Sequence, residues 1–310
     1  MAVYTVIEPH ELQAFLSTYT VGELVTYHGI IQGITNTNYR VKTTSGQYIL
    51  TIFEDMNSSE LVFYLQLTTY LEKHGITCPT PVALKNGNLA SQLKNKPAAL
   101  IHYLEGIPSE SPSMQQCNQV GAMLALMHEA TLFFPLKQVN PRGPNWWNQQ
   151  AKQLLVFLPP AEKRMLESEL NWLNSRLEKD LPNGIIHADL FKDNVLFWKN
   201  KVNGFIDFYY ACNGIFIYDL AITINDWART PANTINLSLE KAIMAGYESN
   251  RPLLNQEIDY LPIAKRAAAI RFWISRLHDL YFPKKGTIMN TKDPREFYHL
   301  LNLYRSQQSY

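Results

Sequence analysis

The spacing of apolar residues changes near Gly106, and this change limits the fold more than any other feature of the chain. Before it, segments rich in β-branched and aromatic residues, such as "LVTYHGII", "NYRVKTT" and "QYILTIF", predict antiparallel strands joined by turns. After it, helical spacing dominates, as at Leu166, Leu170, Leu173 and Leu177. We therefore expect a bilobal α+β arrangement, in which an antiparallel sheet with one helix precedes a mainly helical half.

The same change predicts an N-terminal lobe over residues 1–104 and a C-terminal lobe over residues 105–310. In the first lobe, a short amphipathic helix is predicted within residues 9–19, and a longer one from Ser58 to His74. One strand-rich patch interrupts the helical half. That patch contains most of the candidate catalytic and metal-binding residues.

Composition argues for a small-molecule partner. The 310 residues are 46% hydrophobic and include 28 Lys or Arg against 27 Asp or Glu, so the chain has no broad positive surface for nucleic acid or anionic membrane. The cysteines, Cys78, Cys117 and Cys212, lack metal-ligand spacing and are predicted to be free thiols in a reducing compartment. With neither a signal peptide nor a long uncharged apolar run, a soluble cytoplasmic protein is expected.

The strand-rich patch is "NGIIHADLFKDNVLFWKNKVNGFIDF", residues 183–208. Asp189 and Asp207 each follow an apolar run, where an unpaired carboxylate taken out of water would cost several kcal/mol. Strand ends that face a ligand or a divalent cation explain such acids, because the cation turns a repulsive group of carboxylates into a coordination sphere. The segment "KNKVNG" is predicted to be the turn of a small hairpin.

The octapeptide "HADLFKDN" has the form H-x-D-x-x-x-x-N, and "IDF" follows it across the predicted turn. This set resembles the catalytic loop and metal-binding aspartate of kinases. It predicts that Asp189 accepts the proton of the acceptor hydroxyl, and that Asn194 and Asp207 bind Mg²⁺ together with the phosphates of ATP. His187 is expected to be a hydrogen-bonded scaffold, and Asp193 to be solvated or to cap a turn.

The segment "GIIQGITNTNYRV" lies where kinases have a phosphate-covering hairpin. Its glycines are too widely spaced for G-x-G-x-x-G. Gly33, Asn36, Thr37 and Asn38 are the candidate phosphate contacts, and an ordinary polar turn is the alternative.

The strand "YILTIF" occupies the place of the kinase strand that carries a lysine, but Thr51 stands where the lysine belongs. The group that replaces this positive charge is left open. Glu60 is either the counterpart of the kinase helix glutamate or a helix N-terminal charge.

Over essentially its whole length the chain resembles the type II homoserine kinases, which belong to the aminoglycoside-phosphotransferase-like branch of the protein-kinase fold. The likeness runs through "PAALIHYLEG", "GIIHADLFKDNVLF", "GFIDFYYACN", "YDLAI" and "KDPREF", and threonine is usual in that family at position 51. The resemblance implies ATP- and Mg²⁺-dependent phosphorylation of the side-chain hydroxyl of L-homoserine to O-phosphohomoserine, a step of threonine biosynthesis.

Further roles follow from the resemblance alone. Backbone groups near His102 and Leu104 are expected to meet the adenine edge, and Asp219 in "YDLA" is expected to steady the catalytic loop. Asp226 stands where the family more often has a small residue, so an acceptor pocket that borders this segment would differ.

An amino-acid acceptor brings a carboxylate, which a guanidinium pairs best. Arg271 and Arg276 lie on the apolar segment "AAAIRFWISRLHDLYF", five residues apart and therefore on different faces of one helix. Arg271 is the predicted carboxylate partner, with Asn225 as a hydrogen-bonding candidate. The alternative is that each arginine pairs with a protein acid or reaches solvent along its stem.

Other functions compete with phosphorylation of homoserine. A protein kinase is disfavoured because only 11 residues separate Asp207 from Asp219, too few for an activation segment that holds a polypeptide. An aminoglycoside kinase would need an acidic acceptor site, whereas residues 230–310 carry 11 Lys or Arg against 7 Asp or Glu. Choline-like or methylthioribose-like acceptors stay open. A silent nucleotide-binding scaffold is the non-enzymatic alternative.

Overall fold

The computed structural model describes residues 4–30, 36–177, 180–283 and 292–307. These residues form two compact units, which divide between Glu105 and Gly106. No helix among them is long and apolar enough to cross a membrane. The cysteines are buried free thiols, as predicted.

The N-terminal unit contains two helices and a five-stranded antiparallel sheet among its described residues. In chain order the elements are α1 (Pro9–Leu16), β1 (Leu24–Gly29), β2 (Thr37–Thr43), β3 (Gly46–Ile52), α2 (Ser58–Lys73), β4 (Ser91–Leu93) and β5 (Lys96–His102). The strand order is β1-β2-β3-β5-β4. The predicted strands and both predicted helices are therefore confirmed, although α1 ends at Leu16 rather than near Tyr19.

Alternation along β3 divides its side chains between the two faces of the sheet. Leu50 and Ile52 pack into a core with Leu12 and Phe15 of α1, so Thr51 points to the opposite face. The helix α2 begins with a reciprocal cap between Asn57 and Glu60. Glu60 therefore acts as the helix N-terminal charge that was one of its two predicted roles.

The C-terminal unit is mainly helical. Its elements are α3 (Met114–Ala130), α4 (Pro144–Leu154), α5 (Pro160–Asn174), β6 (Asn183–Ile186), β7 (Val195–Trp198), β8 (Lys201–Phe205), β9 (Cys212–Ile215), α6 (Phe216–Trp227), α7 (Leu237–Glu248), α8 (Asn255–Tyr281) and α9 (Arg295–Gln307). Helix α8 lies in the middle of a large core, with residues such as Ala268, Ile270 and Ile274 fully buried. Aromatic side chains of α8 and α9 meet at Phe272 and Phe297.

The strand-rich patch contains the predicted hairpin, and its first strand belongs to a second small antiparallel sheet. Strand β6 pairs with β9, and β7 pairs with β8. The β7–β8 turn is shorter than the predicted "KNKVNG", because Lys199 and Asn200, with φ of 48° and 62°, complete a two-residue turn and β8 begins at Lys201. Asp189 and Asp207 follow the ends of β6 and β8, as the sequence predicted.

Candidate active site

The catalytic loop is held from behind by helix α6. Asp219, in the first turn of α6 and fully buried, accepts hydrogen bonds from the backbone N–H groups of His187 and Ala188 at 2.7 and 2.8 Å. Ala188 takes a left-handed conformation, with φ of 61°, which is uncommon for a residue with a Cβ. The buried carboxylate thus fixes the backbone turn that places Asp189, in agreement with the role implied for Asp219.

Two further residues of α6 hold the same loop. Trp227 donates its indole N–H to the carbonyl of Leu190 at 3.1 Å, and the Asp226 carboxylate accepts the backbone N–H of Lys192 at 2.8 Å. Neither contact was predicted from the sequence. From the sequence, Asp226 was noted only as a residue that differs from the one usual in the family. In the structure it is 5% exposed and binds the backbone of the catalytic loop.

His187 links the two acid-bearing loops, and its expected scaffold role is confirmed. Its Nε2 lies 2.9 Å from the carbonyl of Ile206, and its Nδ1 lies 3.3 Å from the backbone N–H of Asp189. Nδ1 therefore accepts and Nε2 donates, which requires a neutral ring. Burial lowers the pKa of His187 and favours that neutral form.

Asp189 lies between an arginine and an amide. Arg271 Nη1 is 3.3 Å from Oδ1 of Asp189, and Asn194 Nδ2 is 3.3 Å from Oδ2 and 2.8 Å from the Asp189 carbonyl. The structure therefore brings together three of the residues predicted from distant parts of the sequence. Arg271 also stacks over the Phe272 ring, 3.7 Å from its centroid.

The Asp189 carboxyl has an unusual affinity for protons. Burial raises its pKa to about 7, and nearby Asp207 and Asp193 add to the rise, while the positive charge of Arg271 opposes it. A carboxylate whose pKa lies near neutrality is suited to accept a proton from an alcohol and release it to solvent.

Asp207 lies just beyond β8 in a left-handed conformation, with φ of 62° and ψ of 57°. Its side chain is exposed at the surface. Surrounding protein atoms nevertheless limit its hydration, and together with the negative charge of Asp193 they raise the pKa of Asp207 to about 6. Gathering acids in this way favours the binding of a cation.

The donor atoms fit a magnesium ion that is shared with a substrate. Nδ2 of Asn194 is engaged by Asp189, so Oδ1 is the atom of this amide that could bind a metal ion. Within residues 4–30, 36–177, 180–283 and 292–307, no group of three or more His, Cys, Asp or Glu residues is arranged to hold a metal ion. Mg²⁺ commonly binds through one or two carboxylates, with phosphates and waters completing the octahedron.

The predicted phosphate contacts of the N-terminal unit have different positions. Gly33 lies outside the described residues. Thr37 is fully buried on the α1 face, where its hydroxyl donates to Glu54 at 2.6 Å and accepts the backbone N–H of Thr5 at 3.1 Å. The prediction of a side-chain contact between Thr37 and phosphate is therefore wrong, because the register of β2 turns that hydroxyl to the buried α1 face.

Asn38 lies on the other face of β2, beside the position of the absent lysine. Its Oδ1 accepts the hydroxyl of Thr51 at 2.8 Å, across a directly paired position of β2 and β3. Asn36, just before β2, is buried. The nearest lysine of the neighbouring strand, Lys96, pairs with Glu54 on the α1 face, so it does not take over the position left by Thr51.

The segment after β5 borders a pocket of about 440 Å³ whose lining includes His102, Tyr103 and Leu104. His102 donates its backbone N–H to the carbonyl of Thr80 at 2.8 Å. The backbone N–H of His102 is therefore already engaged within the protein.

The remaining acceptor candidates differ in their surroundings. Asn225 is fully buried, donates to the Lys265 carbonyl at 2.8 Å and accepts the Tyr304 hydroxyl at 2.7 Å. Its amide therefore joins α6 to α8 and α9 and is not presented to a ligand. Arg276 pairs with Glu296 at 2.6 Å, which matches the alternative that it contacts a protein acid.

Comparisons with known proteins agree with this geometry. Residues 26–253 match the model of the phosphotransferase enzyme family. A homoserine kinase of Neisseria meningitidis serogroup B is 50% identical over 301 residues, which cover 97% of this chain and 99% of the relative. A homoserine kinase of Chelativorans sp. is 42% identical and covers 98% of this chain and 96% of its own length.

Among solved structures, an amicoumacin kinase in complex with AMP-PNP and Ca²⁺ superposes with a TM-score of 0.73 at 16% identity, over 97% of this chain and 93% of that one. This likeness confirms the protein-kinase-like fold. Full-length identity and the family match together lead to one conclusion: the chain belongs to the phosphotransferase enzyme family and, within it, to the homoserine kinases.

Proposed function

We infer that this chain is a homoserine kinase, which transfers the γ-phosphoryl group of ATP to the side-chain hydroxyl of L-homoserine. The observation that carries the chemistry is the placement of Asp189 between Arg271 and Asn194, with Asp207 at the end of the next hairpin. The identity of the acceptor rests on relatives up to 50% identical along the whole chain. The product, O-phosphohomoserine, places the step in threonine biosynthesis.

Asp189 acts as the base. The homoserine oxygen forms a bond to the γ-phosphorus as the bond between that phosphorus and the bridging oxygen of ADP breaks. The hydroxyl proton passes to the Asp189 carboxylate and then to solvent. Asn194 and Arg271, which contact the two carboxylate oxygens, fix its orientation during the transfer.

Asn194 and Asp207 would hold Mg²⁺ with the phosphates. The ion would neutralise phosphate charge, which is the main electrostatic requirement of phosphoryl transfer. The raised pKa of Asp207 supports this assignment, because a carboxylate that is poorly hydrated and close to Asp193 gains from a cationic partner.

The two units would divide the remaining work. The N-terminal unit would be the nucleotide-binding lobe, with backbone groups of His102 and Leu104 at the adenine and with Gly33, Asn36 and Asn38 near the phosphates. For Asn38, the support is its position on the same face of the sheet as Thr51. The C-terminal unit would supply the catalytic residues and the acceptor site.

Arg271 would bind the homoserine carboxylate. Its guanidinium carries five N–H donors, and Nη1 approaches Asp189, so other donors of the fork can serve a ligand that lies beside the base. This placement would put the α-carboxylate and the reactive hydroxyl at opposite ends of one short substrate. Arg276, engaged by Glu296, has no comparable position.

A coupled assay of ADP release tests the function. We expect turnover with L-homoserine, and much weaker turnover with choline, methylthioribose, aminoglycosides and L-homoserine analogues that lack the carboxylate. ADP release that depends on one of those other acceptors and not on L-homoserine would overturn the assignment. Absence of release with every acceptor, despite ATP binding, would favour the silent scaffold.

A further inference from the structure

The catalytic site has a surplus of negative charge on its metal-binding side. Asp189, Asp193 and Asp207 act on one another electrostatically, and Arg271 approaches the first of them. The strand position that carries the kinase lysine holds Thr51, which is hydrogen-bonded to Asn38. A triphosphate brings further negative charge to such a site, so a cationic side chain beside the metal-binding residues would stabilise its binding.

Lys292 is a cation in this position. Its Nζ lies 2.7 Å from Oδ2 of Asp193, the residue directly before Asn194. It also lies 5.4 Å from the centre of the Phe191 ring. The side chain is 47% exposed, and an ammonium has three donors, so Lys292 can keep its contact with Asp193 and still bind a ligand.

The segment that carries Lys292 is fixed to the helical unit at several points. Arg276 of α8 donates to the carbonyl of Asp293 at 2.8 Å and pairs with Glu296 at 2.6 Å. Arg229 pairs with the same Glu296 carboxylate at 2.9 Å. Glu296 lies in the first turn of α9. The two arginines therefore fix the start of α9 and the residues just before it, Lys292 and Asp293, beside the catalytic loop.

The two cations contact different acids of the site. Arg271 approaches Asp189 and stacks on Phe272 of α8. Lys292 instead contacts Asp193, which directly precedes the predicted metal ligand Asn194. Lys292 is therefore the cation beside the predicted metal ligand Asn194, whereas Arg271 contacts the base.

We propose that Lys292 contacts the γ-phosphoryl oxygens of ATP and supplies the positive charge that Thr51 does not. The inference rests on the proposed function, because it assumes that a nucleoside triphosphate binds at Asn194 and Asp207. It assigns to the C-terminal segment a direct part in phosphoryl transfer. Asp193 then has the task of holding the lysine near the loop until the nucleotide arrives.

The test compares Mg²⁺ complexes of AMP-PNP and ADP, which differ by the γ-phosphoryl group, in binding titrations with the full chain. Lys292→Met is expected to weaken AMP-PNP about 10- to 100-fold, as for loss of a charge-assisted hydrogen bond, and ADP about twofold or less. The Michaelis constant for homoserine is expected to stay within about twofold, while kcat falls about 10- to 100-fold. Lys292→Arg is expected to restore much of the AMP-PNP affinity.

Asp193→Asn separates a phosphate contact from a merely structural ion pair. If Lys292 binds phosphate, releasing it from Asp193 is expected to leave AMP-PNP affinity unchanged or increased. Similar losses in Lys292→Met and Asp193→Asn, equal losses for AMP-PNP and ADP, or a selective rise in the Michaelis constant for homoserine would each overturn the proposal. These binding measurements need no acceptor, so they stand apart from a failure of homoserine turnover.

A matched control is Lys94→Met, which removes an ion pair with Glu11 in the N-terminal unit, where the lysine side chain is 37% exposed. We expect this variant to bind both nucleotides as the wild type does. Thermal unfolding of all variants checks that the changes in affinity do not follow loss of folded protein.

Discussion

Arg271 Nη1 and Asp189 Oδ1 lie 3.3 Å apart, although 82 positions separate the two residues in the chain. The arginine side chain is 3% exposed and the aspartate side chain 19%, so the pair meets at the edge of the protein interior. In such a place the charge of one partner sets the proton affinity of the other. The same guanidinium can therefore tune the base and receive the substrate carboxylate.

Replacing the base tests its role most directly. Asp189→Asn is expected to lower kcat by about 10²- to 10⁴-fold, because the amide cannot accept the hydroxyl proton. MgATP affinity is expected to change little, since Asp189 is not assigned to the metal. Single-turnover kinetics and a nucleotide titration measure the two effects. Asp279→Asn, an exposed acid on α8, is the control; near-normal turnover of Asp189→Asn would refute the assignment.

Asp207→Ala is expected to weaken both nucleotide binding and turnover, because it deletes a proposed metal ligand. Titration of ADP with and without Mg²⁺ checks this directly. The variant should lose most of the Mg²⁺-dependent part of the affinity and retain the Mg²⁺-independent part. An unchanged response to Mg²⁺ would show that Asp207 is not a ligand.

The pH dependence of kcat/KM should report Asp189. Because burial raises the pKa of this carboxyl to about 7, and the base must be deprotonated, kcat/KM is expected to fall as the pH decreases below about 7. Arg271 opposes the rise in this pKa, so Arg271→Met should move the acid limb to higher pH. A limb that moves to lower pH in this variant would contradict the pairing.

The acceptor role of Arg271 is tested by substrate discrimination. Arg271→Met is expected to raise the Michaelis constant for homoserine about 10- to 100-fold, as for loss of a charge-assisted pair, and that for ATP much less. The ratio of kcat/KM for homoserine to kcat/KM for the decarboxylated acceptor, 3-aminopropanol, should decrease. Arg276→Met should instead lower stability, because it removes one of the two arginine partners of Glu296 and the donor to the Asp293 carbonyl near the start of α9. Equal losses for both acceptors in Arg271→Met would place the carboxylate site elsewhere.

Asp219→Asn is expected to destabilise the protein by about 3 kcal/mol, because a buried amide N–H group would face backbone N–H donors. Asp219 is fully buried and accepts hydrogen bonds from His187 and Ala188. Urea unfolding measures the loss, and Asp259→Asn, an exposed substitution on α8, is the control. Wild-type stability with wild-type turnover would show that the catalytic loop keeps its shape without this carboxylate.

Local chemistry made part of the site predictable from sequence. The spacing of His187, Asp189 and Asn194 reflects one short loop, and Asp207 follows a strand whose apolar pattern is clear. The contact between Asp226 and Lys192 spans 34 positions and depends on how α6 packs, which no local pattern reveals. The prediction that Thr37 contacts phosphate was wrong for a related reason. The face that a strand residue occupies changes with a shift of one position, and the local sequence does not fix that register.

The left-handed turn at Ala188 implies that the catalytic motif cannot be transplanted alone. A residue with a Cβ at φ of 61° is strained by about 1–3 kcal/mol, and the compensating hydrogen bonds come from Asp219, more than thirty positions later. A segment spanning "HADLFKDN", grafted onto another scaffold, would relax at Ala188 to a backbone conformation with negative φ. The Asp189 side chain would then point in a different direction. The motif and the start of α6 therefore form one structural unit, and moving either without the other would leave the base misplaced.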